Sequence, residues 1–162
     1  MDQVRADLIA YLENHATNTQ IDVFTDRLNQ LQNIDGGIDT LSMTNILTTS
    51  IRSGQFEIVN ALLDSGFDTN ARPGEAIVES IQNRYIHLLP RLNVYGANFD
   101  SRSETHGMTP LECVLRNMRR NLESLNLIFV LAACGANIPT VLLSAAQELM
   151  RRHELGQTVF ID

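Results

Sequence analysis

The sequence contains no lysine, only two cysteines, and no apolar run longer than the one from Leu127 to Cys134. That run is far short of the roughly 20 residues that span a bilayer, so no transmembrane helix is expected. The N-terminus, Met-Asp-Gln-Val-Arg-Ala-Asp, has acids where a secretory signal carries a basic region and an apolar core, which argues against Sec-type export. Cys113 and Cys134 both sit inside apolar helical patterns. They read as reduced core thiols, not as a disulfide framework, and point to a reducing, cytoplasmic compartment.

All twelve basic residues are arginine. At even about 5% usage roughly eight lysines would be expected in a chain of this length, and their chance absence is on the order of 10^-4. A GC-rich genome could remove lysine through codon usage, but the chain is rich in Asn and Ile, whose codons lean toward AT. Selection against an acceptor amine is the other cause.

Positive charge is scarce as well. The formal net charge is -7 and the isoelectric point is near 5.0. Phosphate affinity comes from clustered Lys and Arg, so nucleic acid and anionic membranes are poor partners and a protein partner is expected. Residues 1–70 hold ten acids and three arginines, whereas the rest of the chain is balanced. With 44% hydrophobic and 19% charged residues over 162 positions, the chain reads as one folded domain that needs no disulfide or metal staple.

Glycine provides the first sign of organisation: Gly36, Gly66 and Gly96 recur every thirty residues, and Gly135 follows after thirty-nine. Before the last three comes an apolar helical stripe: Ile58-Val59-x-Ala61-Leu62-Leu63, Leu88-Leu89-x-x-Leu92, and Leu127-Ile128-x-x-Leu131-Ala132. Each ends at a glycine C-cap. A short polar segment follows (67–71, 97–101, 136–138), which reads as a turn. The unit is helix, tight turn, helix, glycine and hairpin-like loop, and such periodicity marks a repeat architecture.

Gly107-Met108-Thr109-Pro110-Leu111-Glu112 resembles the G-x-T-P-L-H opening of an ankyrin repeat, and residues 54–71 resemble that family's second helix and loop. The resemblance covers about residues 44–143. Thr109 suits a helix cap and Pro110 the first helical position, while Ser50, Ala61 and Ser80 are small enough for close helix approach. Departures are visible. Glu112 replaces the usual His, and Asn45-Ile46-Leu47 and Glu75-Ala76-Ile77 replace T-P-L in the first two repeats, which implies weaker bonding between hairpins. The loop 70–75 is about three residues short of the family pattern, and Met118–Leu125 adds about five.

The resemblance implies an all-α solenoid of about three repeats (44–138) between an N-terminal helical cap (1–43) and a C-terminal capping helix with its tail (139–162). Capping is required because a solenoid with apolar ends would polymerise. Asp2–Asn14 and Ile21–Gln32 read as amphipathic helices, the first with Val4, Leu8, Ile9 and Leu12 on one face, followed by a turn at Asp35-Gly36-Gly37. Pro139 opens the closing helix through Leu142, Leu143, Ala146 and Met150.

No enzyme signature is present: no G-x-x-x-x-G-K, G-x-S-x-G, H-E-x-x-H or C-x-x-C. His15, His87, His106 and His153 are dispersed, with no i, i+4 pair to hold a metal, and no cofactor is expected. The best nucleophilic set is Cys113 with His106 and Asp100, and a cysteine-dependent enzyme is the alternative reading. The arginines of Arg116, Arg119, Arg120, Arg151 and Arg152 read as a solvated face or as a patch for an acidic partner, including the acidic end of another copy.

Ankyrin-like arrays act mainly as protein-binding scaffolds through first helices and hairpin tips. The resemblance therefore implies a non-enzymatic protein-interaction module, monomeric or weakly self-associating. The first-helix surface is expected to carry Thr49, Arg52, Ser53, Glu79, Gln82, Asn83, Cys113, Arg116 and Asn117. The tips are expected to carry Arg72, Asp100, Ser101, Arg102, Glu104, Thr105 and His106. Lysine absence adds an expectation of work beside the ubiquitin machinery or inside a host, in its cytoplasm or nucleus, as a delivered effector.

Overall fold

The computed structural model describes residues 2–15, 20–34, 36–117 and 122–154, and these are all-helical apart from turns and loops. The described helices are α1 (Asp2–His15), α2 (Ile21–Gln32), α3 (Thr40–Arg52), α4 (Phe56–Asp64), α5 (Glu75–Gln82), α6 (Leu88–Val94), α7 (Pro110–Asn117), α8 (Leu122–Ala133) and α9 (Thr140–Glu154). No strand occurs among the described residues; Ser103 and Met108 form one isolated antiparallel bridge. Helix α8 begins inside the segment expected to be an inserted loop, whereas Arg119 and Arg120, the turn residue Asp35 and the tail lie outside the described residues.

Local chemistry explains where the helices start and stop. Asp39 caps α3 by accepting the Ser42 N–H at 3.0 Å, a bond that, with the Ser42 side chain, holds its carboxyl below the ordinary value. At α7, Thr109 Oγ1 accepts the Glu112 N–H at 3.2 Å and Glu112 Oε2 accepts the Thr109 N–H at 2.8 Å, a reciprocal capping box. Glu112 thus bonds within its own hairpin, a use that a His could not match.

Helix ends repeat one pattern. The N–H of Phe67 reaches the Leu62 carbonyl while that of Gly66 reaches Leu63, and Ala97/Gly96 and Ala136/Gly135 do the same at α6 and α8. These are Schellman ends, and they place the glycine at positive φ. The turns after α3 and α5 copy the pattern with Gln55/Gly54 and Tyr85/Arg84. Arg84, at φ 63°, occupies the left-handed position that Gly54 fills one hairpin earlier.

Contacts between helices run serially. Hairpins α1–α2, α3–α4, α5–α6 and α7–α8 each pair internally, and the first helices touch in the order α1, α3, α5, α7. Second helices touch as α2 with α4 and α6 with α8; α9 packs on α8. A single apolar core threads the stack from Leu8 to Ala146. Ser50 and Ser80 are fully buried in it, each hydroxyl donating to the carbonyl one turn back at 2.7 Å. Side-chain bonds knit neighbouring tips: Asn70 Nδ2 to the Gly96 carbonyl and Asn98 N–H to Asn70 Oδ1, then Asn137 N–H to Asp100 Oδ1.

Val4 is 57% exposed although Leu8 and Leu12 are buried; it lines a cavity between α1 and α2 together with Leu8, Tyr11, Arg27 and Gln30. Helix α9 makes its helix contacts with α8, and none with α7, among the described residues.

Candidate functional site

The densest polar cluster lies where α3, α5 and the loop before α7 meet. Glu75 and Glu79 stand one turn apart on α5, so their side chains share a face. Both are buried, Glu79 to 3% exposure. The backbone brings the loop over them closely: a Cβ on Gly74, which sits at φ 71°, would lie 2.4 Å from the Ser101 carbonyl oxygen and 3.0 Å from the Ser103 nitrogen.

Arg52 of α3 donates to Glu79 through Nε at 2.8 Å and Nη2 at 3.2 Å, a two-pronged guanidinium–carboxylate contact. Asn83 Nδ2 donates to Glu79 Oε1 at 3.1 Å and to the Glu79 carbonyl at 2.8 Å. His106 places Nε2 at 3.2 Å from Glu79 Oε2 and 3.8 Å from Glu75 Oε1. Ser103, fully buried, donates its hydroxyl to Glu75 Oε2 at 2.6 Å and accepts the His106 N–H at 3.1 Å.

Burial alone would push the Glu79 carboxyl up. The hydrogen bonds and charge of Arg52, helped by Asn83 and His106, outweigh it and hold the group below its ordinary value. The same contact raises Arg52 further. Both Glu79 oxygens are engaged by groups of the chain itself, so the cluster acts as a clasp across three successive hairpins.

Of the expected binding residues, Arg52, Ser53, Gln82, Asp100, Arg102, Glu104, Thr105, Arg116 and Asn117 are exposed. Thr49, Arg72, Asn83, Ser101 and His106 are half-buried. Glu79 and Cys113 do not belong to an open surface. They occupy equivalent positions of α5 and α7; the loop residue His106 covers Glu79, and Cys113 is 0% exposed. Burial raises its thiol, against smaller opposing effects of Asn117 and Arg116.

Nor does a hydrogen bond link Cys113, His106 and Asp100. The thiol sulfur lies 3.4 Å from Asn117 Nδ2, His106 faces Glu79, and Asp100 accepts the Asn137 N–H. Among the described residues no group of three His, Cys, Asp or Glu could hold a metal ion, and no helix is long and apolar enough to cross a membrane. Arg102 is spent locally on the Gly107 carbonyl at 2.6 Å and Glu112 at 2.7 Å.

Sequence reasoning did not select Glu75 and Ser103, the buried half of the clasp. The available signal was an acid pair at i, i+4 on a short helix with no local cation; its partners come from 27 residues upstream and 28 downstream. Comparisons with family models, with characterised proteins and with solved structures return no match.

Proposed function

We propose that this chain is a non-enzymatic protein-binding module, an ankyrin-like array of about three repeats whose first helices and hairpin tips form the binding face. One observation carries the reading. Arg52, Gln82 and Arg116 occupy equivalent positions of α3, α5 and α7, all three are exposed, and these helices are neighbours in one row. The clasp ties α3 to α5 and to the loop that leads into α7, which lowers the ordering cost a partner must meet. Repeated hairpins, repeated Schellman ends and the Thr109 capping box favour the ankyrin-like arrangement.

The test is capture from a eukaryotic cell extract read by mass spectrometry, followed by titration of the purified partner. Gln82→Glu and Arg116→Glu should each weaken binding at least tenfold, about 1.4 kcal/mol or more. Glu57→Arg, an exposed change on α4, should leave it within a few tenths of a kcal/mol. Asp64 is a poor control because it holds Arg91 and Tyr95. The reverse ranking moves the site to the second helices.

A second reading rests on the missing lysines. A chain without acceptor amines on its side chains outlasts ubiquitin tagging, which suits an effector working in a host cytoplasm or nucleus. Arg102→Lys with Arg116→Lys should shorten its half-life in eukaryotic cells without changing its circular dichroism. Equal half-lives and equal ubiquitin signal would leave codon drift as the better account.

A further inference from the structure

The row of first helices ends abruptly at α7. In α3 the i, i+4 pair Leu47 and Ile51 is buried, and in α5 the equivalent pair Ile77 and Ile81 is buried; α5 lies beside the first and α7 beside the second. The equivalent pair in α7 is Leu111 and Leu115. Among the described residues no first helix packs on the far side of α7, whose helix contacts are with α5 and α8. Leu111 is only half-buried and Leu115 is 42% exposed. A stripe built for a neighbour has none in the described chain.

At the other end, α1 and α2 line a cavity of about 360 Å³ with Val4, Asp7, Leu8, Tyr11, Arg27 and Gln30. None of its lining comes from α3 or α4, so it belongs to the first hairpin alone. Val4 stands exposed at its rim. The first hairpin carries Asp2, Asp7, Glu13, Asp22 and Asp26 against Arg5 and Arg27, and Arg5 is already committed to the Gly36 and Gly37 carbonyls. The α7 end offers Arg116, exposed and paired with no carboxylate among the described residues.

We propose that copies of this chain associate head to tail, the Leu111/Leu115 stripe of α7 in one copy seating on the Val4–Leu8–Tyr11 wall of the α1–α2 cavity in the next. Arg116 then meets Asp7. Two different surfaces are joined, so the contact is heterologous and does not close by symmetry; successive copies extend the row of first helices. Two apolar walls supply the attraction, and the opposed charges set direction and register. The occupant is a second copy because both halves of a complementary pair, apolar and charged, lie on the one chain.

Sedimentation velocity over a wide concentration series tests this. The parent should show a weight-average mass that rises steadily past the dimer. Leu115→Glu and Val4→Glu change exposed positions at opposite ends, and each should weaken association at least tenfold while circular dichroism stays that of the parent. Mixing the two singly blocked variants should restore one contact and give a dimer that grows no further. A parent that stays monomeric overturns the proposal. So does a variant that associates like the parent, a loss caused by Leu115→Glu but not by Val4→Glu, or a mixture that fails to pair.

Discussion

Removing the guanidinium from the clasp is the perturbation whose magnitude the geometry defines best. Arg52→Ala takes two hydrogen bonds, at 2.8 and 3.2 Å, from a carboxylate that is 3% exposed. Breaking a fully buried ion pair by deleting one partner costs about 3 to 5 kcal/mol. That figure is too large here, because the Arg52 side chain is 60% exposed and water screens and replaces part of its interaction. Asn83 and His106 also remain on the carboxylate. The expected loss is therefore about 1 to 2 kcal/mol, or about 2 to 8 °C in melting temperature for a chain of this size.

Chemical denaturation of parent, Arg52→Ala, Glu79→Gln and the double variant forms the cycle, with a coupling of about 0.5 to 2 kcal/mol expected at neutral pH. Acid supplies an independent check. Glu79 has a folded-state pKa below its ordinary 4.5, so folding holds its charge where the unfolded chain would take up a proton. Its contribution is complete above the ordinary value and is lost as pH falls through the folded one. The coupling should fade below about pH 4.5 and not on the alkaline side. A coupling within about 0.3 kcal/mol of zero at neutral pH, or one indifferent to acid, would refute the clasp.

Four further outcomes follow from packing and backbone geometry. Gly74→Ala should cost about 2 to 4 kcal/mol, because strain at positive φ adds to a 2.4 Å approach to backbone. Gly66→Ala, with positive φ but no atom within 4 Å of the new Cβ, should cost only about 1 kcal/mol by the same denaturation assay. Leu62→Ala, at a position with 0% exposure, should lose about 2 to 5 kcal/mol, and a loss under about 0.5 would mean the core is misassigned. Arg84→Gly should stabilise the chain by about 1 kcal/mol, since Arg84 occupies a left-handed helix end that glycine fills elsewhere; destabilisation would show that its 4.0 Å approach to Glu123 matters more.

Helix positions were legible because glycine and apolar stripes are local signals. The stripe before Gly66 ends in α4 at Asp64, and Ile21–Gln32 is helical as read. What the sequence hid was long-range. Glu79 read as a surface residue because a polar side chain on a first helix looks open to solvent, yet a loop whose fold-over has no pattern of its own brings His106 onto it; Cys113 read both as a core thiol and as a first-helix surface residue, and its 0% exposure agrees with the first. Glu75 was overlooked for the same reason: its partner Ser103 lies in that covering loop. Helix α9 has a regular packed face around Ala146, and periodicity cannot say which helix that face meets.

The central claim, that the row of first helices and their tips is the binding face, is tested most directly by amide chemical-shift mapping during titration with the captured partner. Shifts should concentrate on Arg52, Ser53, Gln82, Asn83, Arg116 and Asn117 and on the tip around Arg102 to His106. Shifts confined to the exposed positions of α4, α6 and α8, such as Glu57, Asn93 and Asn126, would contradict it.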